Sequence, residues 1–206
     1  MRGAETVNEF RNWGCNYWDA NAKAWPANAH LPVELMRVGK IYGGQWRDFN
    51  GVDQLRCLVR DLKFNPDSRR HLLTTYNPAE LDQACLPPCH LLAQFNVDKG
   101  VLDCVVYMRS VDLCVGLPSD YILYATLLVL LAKECGYTAG ALTFMLGDTH
   151  VYANHVVEWH RQKSRAMHPL PSFVLEPNAT VLEFKPEDIQ LNDYQHHDQI
   201  KYIFNA

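Results

Sequence analysis

The sequence has no long hydrophobic run, no excess of positive charge, no internal repeat and no CxxC cysteine pair. Each shortage removes a class of function. The longest apolar stretch, residues 121–132, is too short to cross a bilayer and is closed by Lys133 and Glu134, so it reads as a buried helix and no membrane partner is expected. A net charge of −4 over 206 residues gives no general attraction to nucleic acid, although local arginines can still hold phosphates. Residues 1–20 are polar and carry both charge signs, unlike a secretory leader. With an odd total of seven cysteines, this favours free thiols in a reducing cytoplasm. In that setting Asn178-Ala179-Thr180 reads as a turn rather than a glycosylation acceptor. Length and composition suit one soluble domain over residues 1–206, with enough chain to bury a sizeable core.

Local patterning predicts a mixed α+β fold. Residues 5–24 are expected to be partly helical, interrupted at Gly14. Val52, Leu55, Leu58, Val59 and Leu62 recur at helical spacing and predict an amphipathic helix ended near Asn65-Pro66. Residues 71–76 read as a short strand. Residues 91–97 and 101–109 flank Asp98-Lys99-Gly100, a hairpin signal. A helix is expected over 120–135 with Gly136 past its end, then a strand over 141–146, a helix over 152–164 and strands over 172–175 and 181–184. Hairpin strands mixed with separate helices argue against a doubly wound sheet.

The chemistry gathers in a few segments. In Leu86-Pro87-Pro88-Cys89-His90 two prolines stiffen the approach to a thiol, which gives Cys89 one direction; the plain alternative is a buried cysteine after a turn. A Cys89/His90 hydrolase pair is disfavoured, since neighbours on a strand face apart. Arg69-Arg70 and Arg109-Ser110 supply guanidiniums suited to bidentate phosphate binding, but adjacent arginines on a strand would also face apart, so one of them suits a site on a partner subunit. Asp112 is expected as a turn aspartate, and Ser119 or Asp120 as a helix N-cap, unless they are functional. His150, His155 and His160 are spaced five apart, unlike zinc helices, and Cys85, Cys89 and His90 form no CxxC pair, so no metal site is expected.

Together these segments resemble the thymidylate synthase family, from about residue 16 to residue 177. The matching pieces are Trp18-Asp19, Tyr42-Gly43-Gly44-Gln45-Trp46-Arg47, Asn65-Pro66-Asp67-Ser68-Arg69-Arg70, Leu86-Pro87-Pro88-Cys89-His90, Arg109-Ser110-Val111-Asp112, Gly116-Leu117-Pro118 and the run Gly147-Asp148-Thr149-His150-Val151-Tyr152-Ala153-Asn154-His155. The resemblance implies a homodimer that uses 5,10-methylenetetrahydrofolate, and no metal, to transfer one carbon to C5 of a pyrimidine deoxynucleoside monophosphate. It implies Cys89 as the nucleophile toward C6, with Tyr42 and Asp112 as further catalytic groups. Arg109 and Ser110 would hold the phosphate with Arg69 and Arg70 of the other subunit. His150 and Tyr152 would bind the sugar, His90 and Asp120 would lie at the nucleotide, and Trp18, Asp112 and Gly116 would line the folate site.

Three departures refine that expectation. Where the family usually has Pro-Phe-Asn this chain has Pro118-Ser119-Asp120, which removes an aromatic wall and replaces a uracil-reading amide with a carboxylate. Aspartate here resembles the deoxycytidylate hydroxymethylases of phages and points to dCMP, with thymidylate synthase or dCMP methylase as the alternative. Second, Met1-Arg2-Gly3 aligns just after the family's arginine loop and glutamate-bearing helix. A catalytically silent nucleotide-binding or interaction protein of the same fold is therefore the other alternative. Third, Lys201-Tyr202-Ile203-Phe204-Asn205-Ala206 does not match the synthase tail, which leans toward a wetter site and a hydroxymethyl product.

Overall fold

The structure, a computed structural model, describes residues 4–203 and 205. Its centre is the helix α5 (Gly116–Cys135) laid against a four-stranded sheet of order β1-β2-β3-β4. The strands are β1 (Leu72–Thr74), β2 (His90–Asp98), β3 (Val101–Asp112) and β4 (Thr138–His150). β1, β2 and β3 are antiparallel, and β4 runs parallel to β3. A parallel neighbour needs a crossover, and α5 supplies it. Hairpin strands plus one crossover make a mixed sheet packed with helices, the thymidylate synthase-like α+β arrangement expected.

The hairpin forms where Lys99 and Gly100 both take positive φ, +48° and +80°, the two-residue turn that matches strand twist. Along β3, Leu102, Cys104, Val106 and Met108 are buried, whereas Val105 and Tyr107 face outward. The inner row meets Leu127, Leu130 and Leu131 of α5 and Leu55, Leu58 and Leu62 of α4 (Gln54–Phe64). α4 is the expected amphipathic helix: Asp53 caps it by accepting from the Arg56 N–H, and Asn65 ends it. By length and composition α5 could cross a membrane, but its buried stripe of leucines is part of this core.

The chain before the sheet forms α1 (Val7–Asn12), α2 (Asp19–Ala24) and α3 (Gly43–Arg47), with Gly14 at φ +76° in the break between the first two. Buried Asn28 fastens this part: its amide donates to the Ala22 and Arg37 carbonyls, and its oxygen accepts from the Arg37 N–H. After β4 come α6 (Val156–Lys163) and a separate hairpin of β5 (Ser172–Leu175) and β6 (Ile189–Asn192).

Several expectations need correction. The strand expected over 141–146 is thirteen residues long, because parallel pairing with β3 continues to both ends. Residues 181–184 are not a strand; Val181 is fully buried in the core, so that apolar run marks packing, and β5 pairs instead with 189–192. α5 begins at Gly116, not at 120. Pro118 fits its first turn because the N–H it lacks would have no helical partner. Ser119 and Asp120 therefore lie inside the helix, and Ser119 Oγ donates to the Val115 carbonyl rather than capping.

Leu131 is fully buried at the contact between α5 and the sheet. Leu131→Ala should lower unfolding free energy by about 2–5 kcal/mol, read as a lower denaturant midpoint at constant slope.

Candidate active site

A cavity of about 530 Å³ opens at the C-terminal end of β3, where the start of β2, the first turns of α5 and the N-terminal segment converge. Alternation along β3 puts Met108, Ser110 and Asp112 on its wall, and α5 adds Gly116, Ser119 and Asp120. Cys89 and His90 enter from the start of β2. Tyr17, Trp18 and Tyr42 form an aromatic side, with Trp18 and Tyr42 ring centres 5.9 Å apart. Tyr152 and Asn205 complete the rim.

Tyr42 sits at φ +30°, ψ −97°, a strained backbone for a bulky side chain that costs about 1–3 kcal/mol. Its surroundings hold it there. The ring stacks on His90 at 3.9 Å, and its hydroxyl oxygen accepts the Cys89 backbone N–H at 3.0 Å. This leaves the phenol's own proton free to be donated beside the Cys89 sulfur. Burial pushes Tyr42 well above the usual tyrosine range, so it is a neutral donor.

The Cys89 thiol is raised by burial, an effect opposed by the Arg109 guanidinium and the Tyr42 hydrogen bond. Arg109 lies behind the thiol rather than on the cavity wall, donating from Nε to the Pro88 carbonyl (2.7 Å) and from Nη2 to the Pro87 carbonyl (2.9 Å). It braces the Pro-Pro approach.

His90 and Asp120 are a second polar pair. Burial pushes His90 down to about 3, so its ring is neutral near pH 7, and its Nδ1 meets the Tyr124 hydroxyl at 2.7 Å. Burial pushes Asp120 up to about 7. The His90 Nε2 to Asp120 separation of 3.7 Å is thus no ion pair at neutral pH and too long for a hydrogen bond. Asp120 offers either a carboxyl that donates and accepts, or a carboxylate that only accepts. Asp112 is fastened as a turn aspartate, its Oδ1 accepting the Cys114 and Val115 N–H groups at 2.9 and 3.4 Å.

Of the residues singled out in the sequence, Trp18, Tyr42, Cys89, His90, Ser110, Asp112, Gly116, Asp120 and Tyr152 line this one cavity. Arg69, Arg70, Arg109 and His150 do not. The two exposed arginines follow α4, and His150 packs edge-on against Tyr152. Tyr124 was missed. The signal was a tyrosine four residues after Asp120 in an apolar run, hence on the same helix face. The tail, expected to leave the site open, reaches it at Asn205, whose Nδ2 meets His155 Nε2 at 3.2 Å. Met1, Arg2, Gly3, Phe204 and Ala206 lie outside the described residues.

A sequence profile described as thymidylate synthase matches residues 1–206. The chain belongs to the thymidylate synthase family. It is 44% identical over 174 residues to a thymidylate synthase of Mycoplasma pneumoniae, covering 84% of this chain and 61% of that one. It is 40% identical over 177 residues to a bifunctional dihydrofolate reductase-thymidylate synthase of Paramecium tetraurelia (80% of this chain, 38% of the relative). It is 39% identical over 169 residues to a thymidylate synthase of Staphylococcus haemolyticus (80% and 53%). The chain therefore spans less than two thirds of the length of these relatives. The expected deoxycytidylate hydroxymethylase branch finds no support here, since these relatives are named as thymidylate synthases. The co-substrate of the thymidylate synthase family is 5,10-methylenetetrahydrofolate.

Asp120 binds its proton more tightly folded than unfolded, so its contribution to stability is full below about pH 4 and is lost as pH rises through about 7. Asp120→Asn should remove that loss. In denaturant titrations the variant should gain on the order of 2–4 kcal/mol relative to wild type between pH 4 and pH 8. A constant difference across that range would refute the burial of this carboxyl.

Proposed function

We propose that this chain transfers one carbon from 5,10-methylenetetrahydrofolate to C5 of a pyrimidine deoxynucleoside monophosphate, as a thymidylate synthase-type enzyme. The observation that carries the reading is the Cys89 thiol inside the cavity, backed by Arg109 and touched by the Tyr42 hydroxyl. Cys89 sulfur bonds to C6 of the base as a thiolate, and the electron pair of the C5–C6 bond moves onto C5 and the O4 carbonyl. C5 is then nucleophilic toward the one-carbon unit that the folate supplies. Loss of the C5 proton expels tetrahydrofolate and leaves an exocyclic methylene, which a hydride from that tetrahydrofolate would reduce to methyl, giving dihydrofolate, and departure of the sulfur restores the ring. Tyr42, a neutral phenol, serves proton and water ordering beside C5 and C6, while Asp112 and Trp18 orient the folate ring. Tyr152, with His150 behind it, suits the sugar hydroxyl, and Ser110 the phosphate.

A second reading, dCMP as substrate with hydroxymethylation, is favoured by Asp120 alone. Ionised, it accepts from the cytosine amino group; protonated, it offers the donor and acceptor that uracil needs. The thymidylate synthase names of the relatives support the first reading better.

The outer face of the sheet supports a homodimer. Val105, Tyr107 and Met145 are 39%, 42% and 57% exposed on one face of the sheet, with Tyr107 opposite Met145, and Leu72, 41% exposed, lies on the same face with Gln94 between it and Val105. Such an apolar surface needs a cover. A second copy there would bring Arg69 and Arg70 across the interface toward the phosphate, which explains why one chain leaves them outside the cavity. One domain over residues 1–206 in a reducing cytoplasm fits the seven free cysteines.

The test is folate-dependent tritium release from C5-labelled dUMP and dCMP, side by side. Release should occur and fall by on the order of a thousandfold or more in Cys89→Ser. Methylated nucleotide with dihydrofolate supports the first reading, and hydroxymethyl nucleotide with tetrahydrofolate the second. No release from either would leave the silent family member. For the dimer, Val105→Glu with Tyr107→Glu should convert a sedimenting dimer to monomer; an unchanged sedimentation coefficient would refute that interface.

A further inference from the structure

Beyond β3 the chain turns through Cys114 into α5, and the turn Ala153–His155 brings His155 against it from the other side of the cavity rim. A carboxylate oxygen of Asp112, the Cys114 sulfur and one ring nitrogen of His155 all lie within 4.8 Å of one another. His155 is 1% exposed and Cys114 is 6% exposed. Among the described residues, His155 Nδ1 has no hydrogen-bond partner. A buried imidazole nitrogen left unpaired is costly, and it calls for a ligand the side chains themselves do not supply.

The donor set is one oxygen, one sulfur and one nitrogen. Such a mixture suits zinc, which accepts all three and is held in open sites by three protein ligands. A tetrahedral zinc site with bonds of about 2.0–2.3 Å sets ligand atoms roughly 3.3–3.8 Å apart, a rotamer adjustment from the present spacing. Carboxylate and thiolate together neutralise a divalent ion. Asp112 Oδ1 is held by the Cys114 and Val115 N–H groups, leaving Oδ2 to ligate. The chain's last residues lie over the same donors, with the Tyr202 hydroxyl on the Cys114 thiol and the Ile203 carbonyl 2.5 Å from His155 Nε2.

We propose that Asp112, Cys114 and His155 form a zinc-class divalent-cation site, with water in the fourth position, at the edge of the cavity and sharing Asp112 with it. It does not rest on the reaction assigned above. Binding releases the thiol proton to solvent. Since Asp112 also lines the large cavity, the ion and a cavity ligand draw on one carboxylate.

The whole chain, stripped with chelator, is titrated with cobalt(II). One equivalent per chain should give a thiolate-to-cobalt charge-transfer band that zinc then bleaches. Cys114→Ser should abolish the band, and Asp112→Asn should weaken binding at least about tenfold. Cys89→Ser should leave both unchanged. His155→Gln risks the fold, so its loss of binding counts only with an unchanged circular dichroism spectrum; Cys114→Ser, at a less enclosed position, carries the test if it does not fold. No saturable binding, a band that survives Cys114→Ser, or one lost in Cys89→Ser would overturn the site.

Discussion

The burial of α5 on the inner face of β3 and β4 is the constraint on which the rest depends. Because β4 runs parallel to β3, the chain must cross over, and the crossing helix begins where β3 ends. The leucine stripe that anchors α5 fixes its rotation, and rotation sends Asp120 and Tyr124 to one face. The same alternation that buries Leu102, Cys104, Val106 and Met108 aims Ser110 and Asp112 at the helix's first turns. The cavity is thus what remains where a strand end and a helix start cannot fill the space between them.

Within it, desolvation rather than charge pairing sets the protonation states. Tyr42 and Tyr124 remain phenols, His90 remains neutral, and Asp120 holds its proton to about pH 7, each chiefly through burial. Cys89 also feels the Arg109 guanidinium, which binds the Pro87 and Pro88 carbonyls. The site is a set of hydrogen-bonding groups around one thiol whose proton burial retains and the guanidinium loosens.

Much of this was legible in the chain. The hairpin at Lys99-Gly100, the amphipathic spacing of α4 and the ordered motifs around Cys89 and Asp112 carry their structure locally, in turn chemistry and periodicity. What was not legible depends on partners distant in sequence. The run at 181–184 is apolar because Val181 enters the core, and a strand and a packed coil share that composition. Ser119 and Asp120 look like caps until the helix is seen to start at Gly116, a choice made by packing and by Pro118. His155 and Cys114 lie about forty residues apart with no common motif, so their meeting is a tertiary fact.

Two consecutive residues show how the sheet divides labour between its faces. Ser110 looks into the cavity, while Arg109, one step earlier, lies toward the face where Val105 and Tyr107 stand exposed. A strand cannot turn both toward one ligand within a single chain. A phosphate site that needs both groups must therefore sit at the strand's end, where the two faces meet, and must be closed by something approaching from outside. In the dimer proposed above the exposed apolar face would supply the energy for that approach, and Arg69 and Arg70, beyond the end of α4, the charge. In the proposed dimer, association and substrate binding would be one requirement, imposed by the two-residue period of β3.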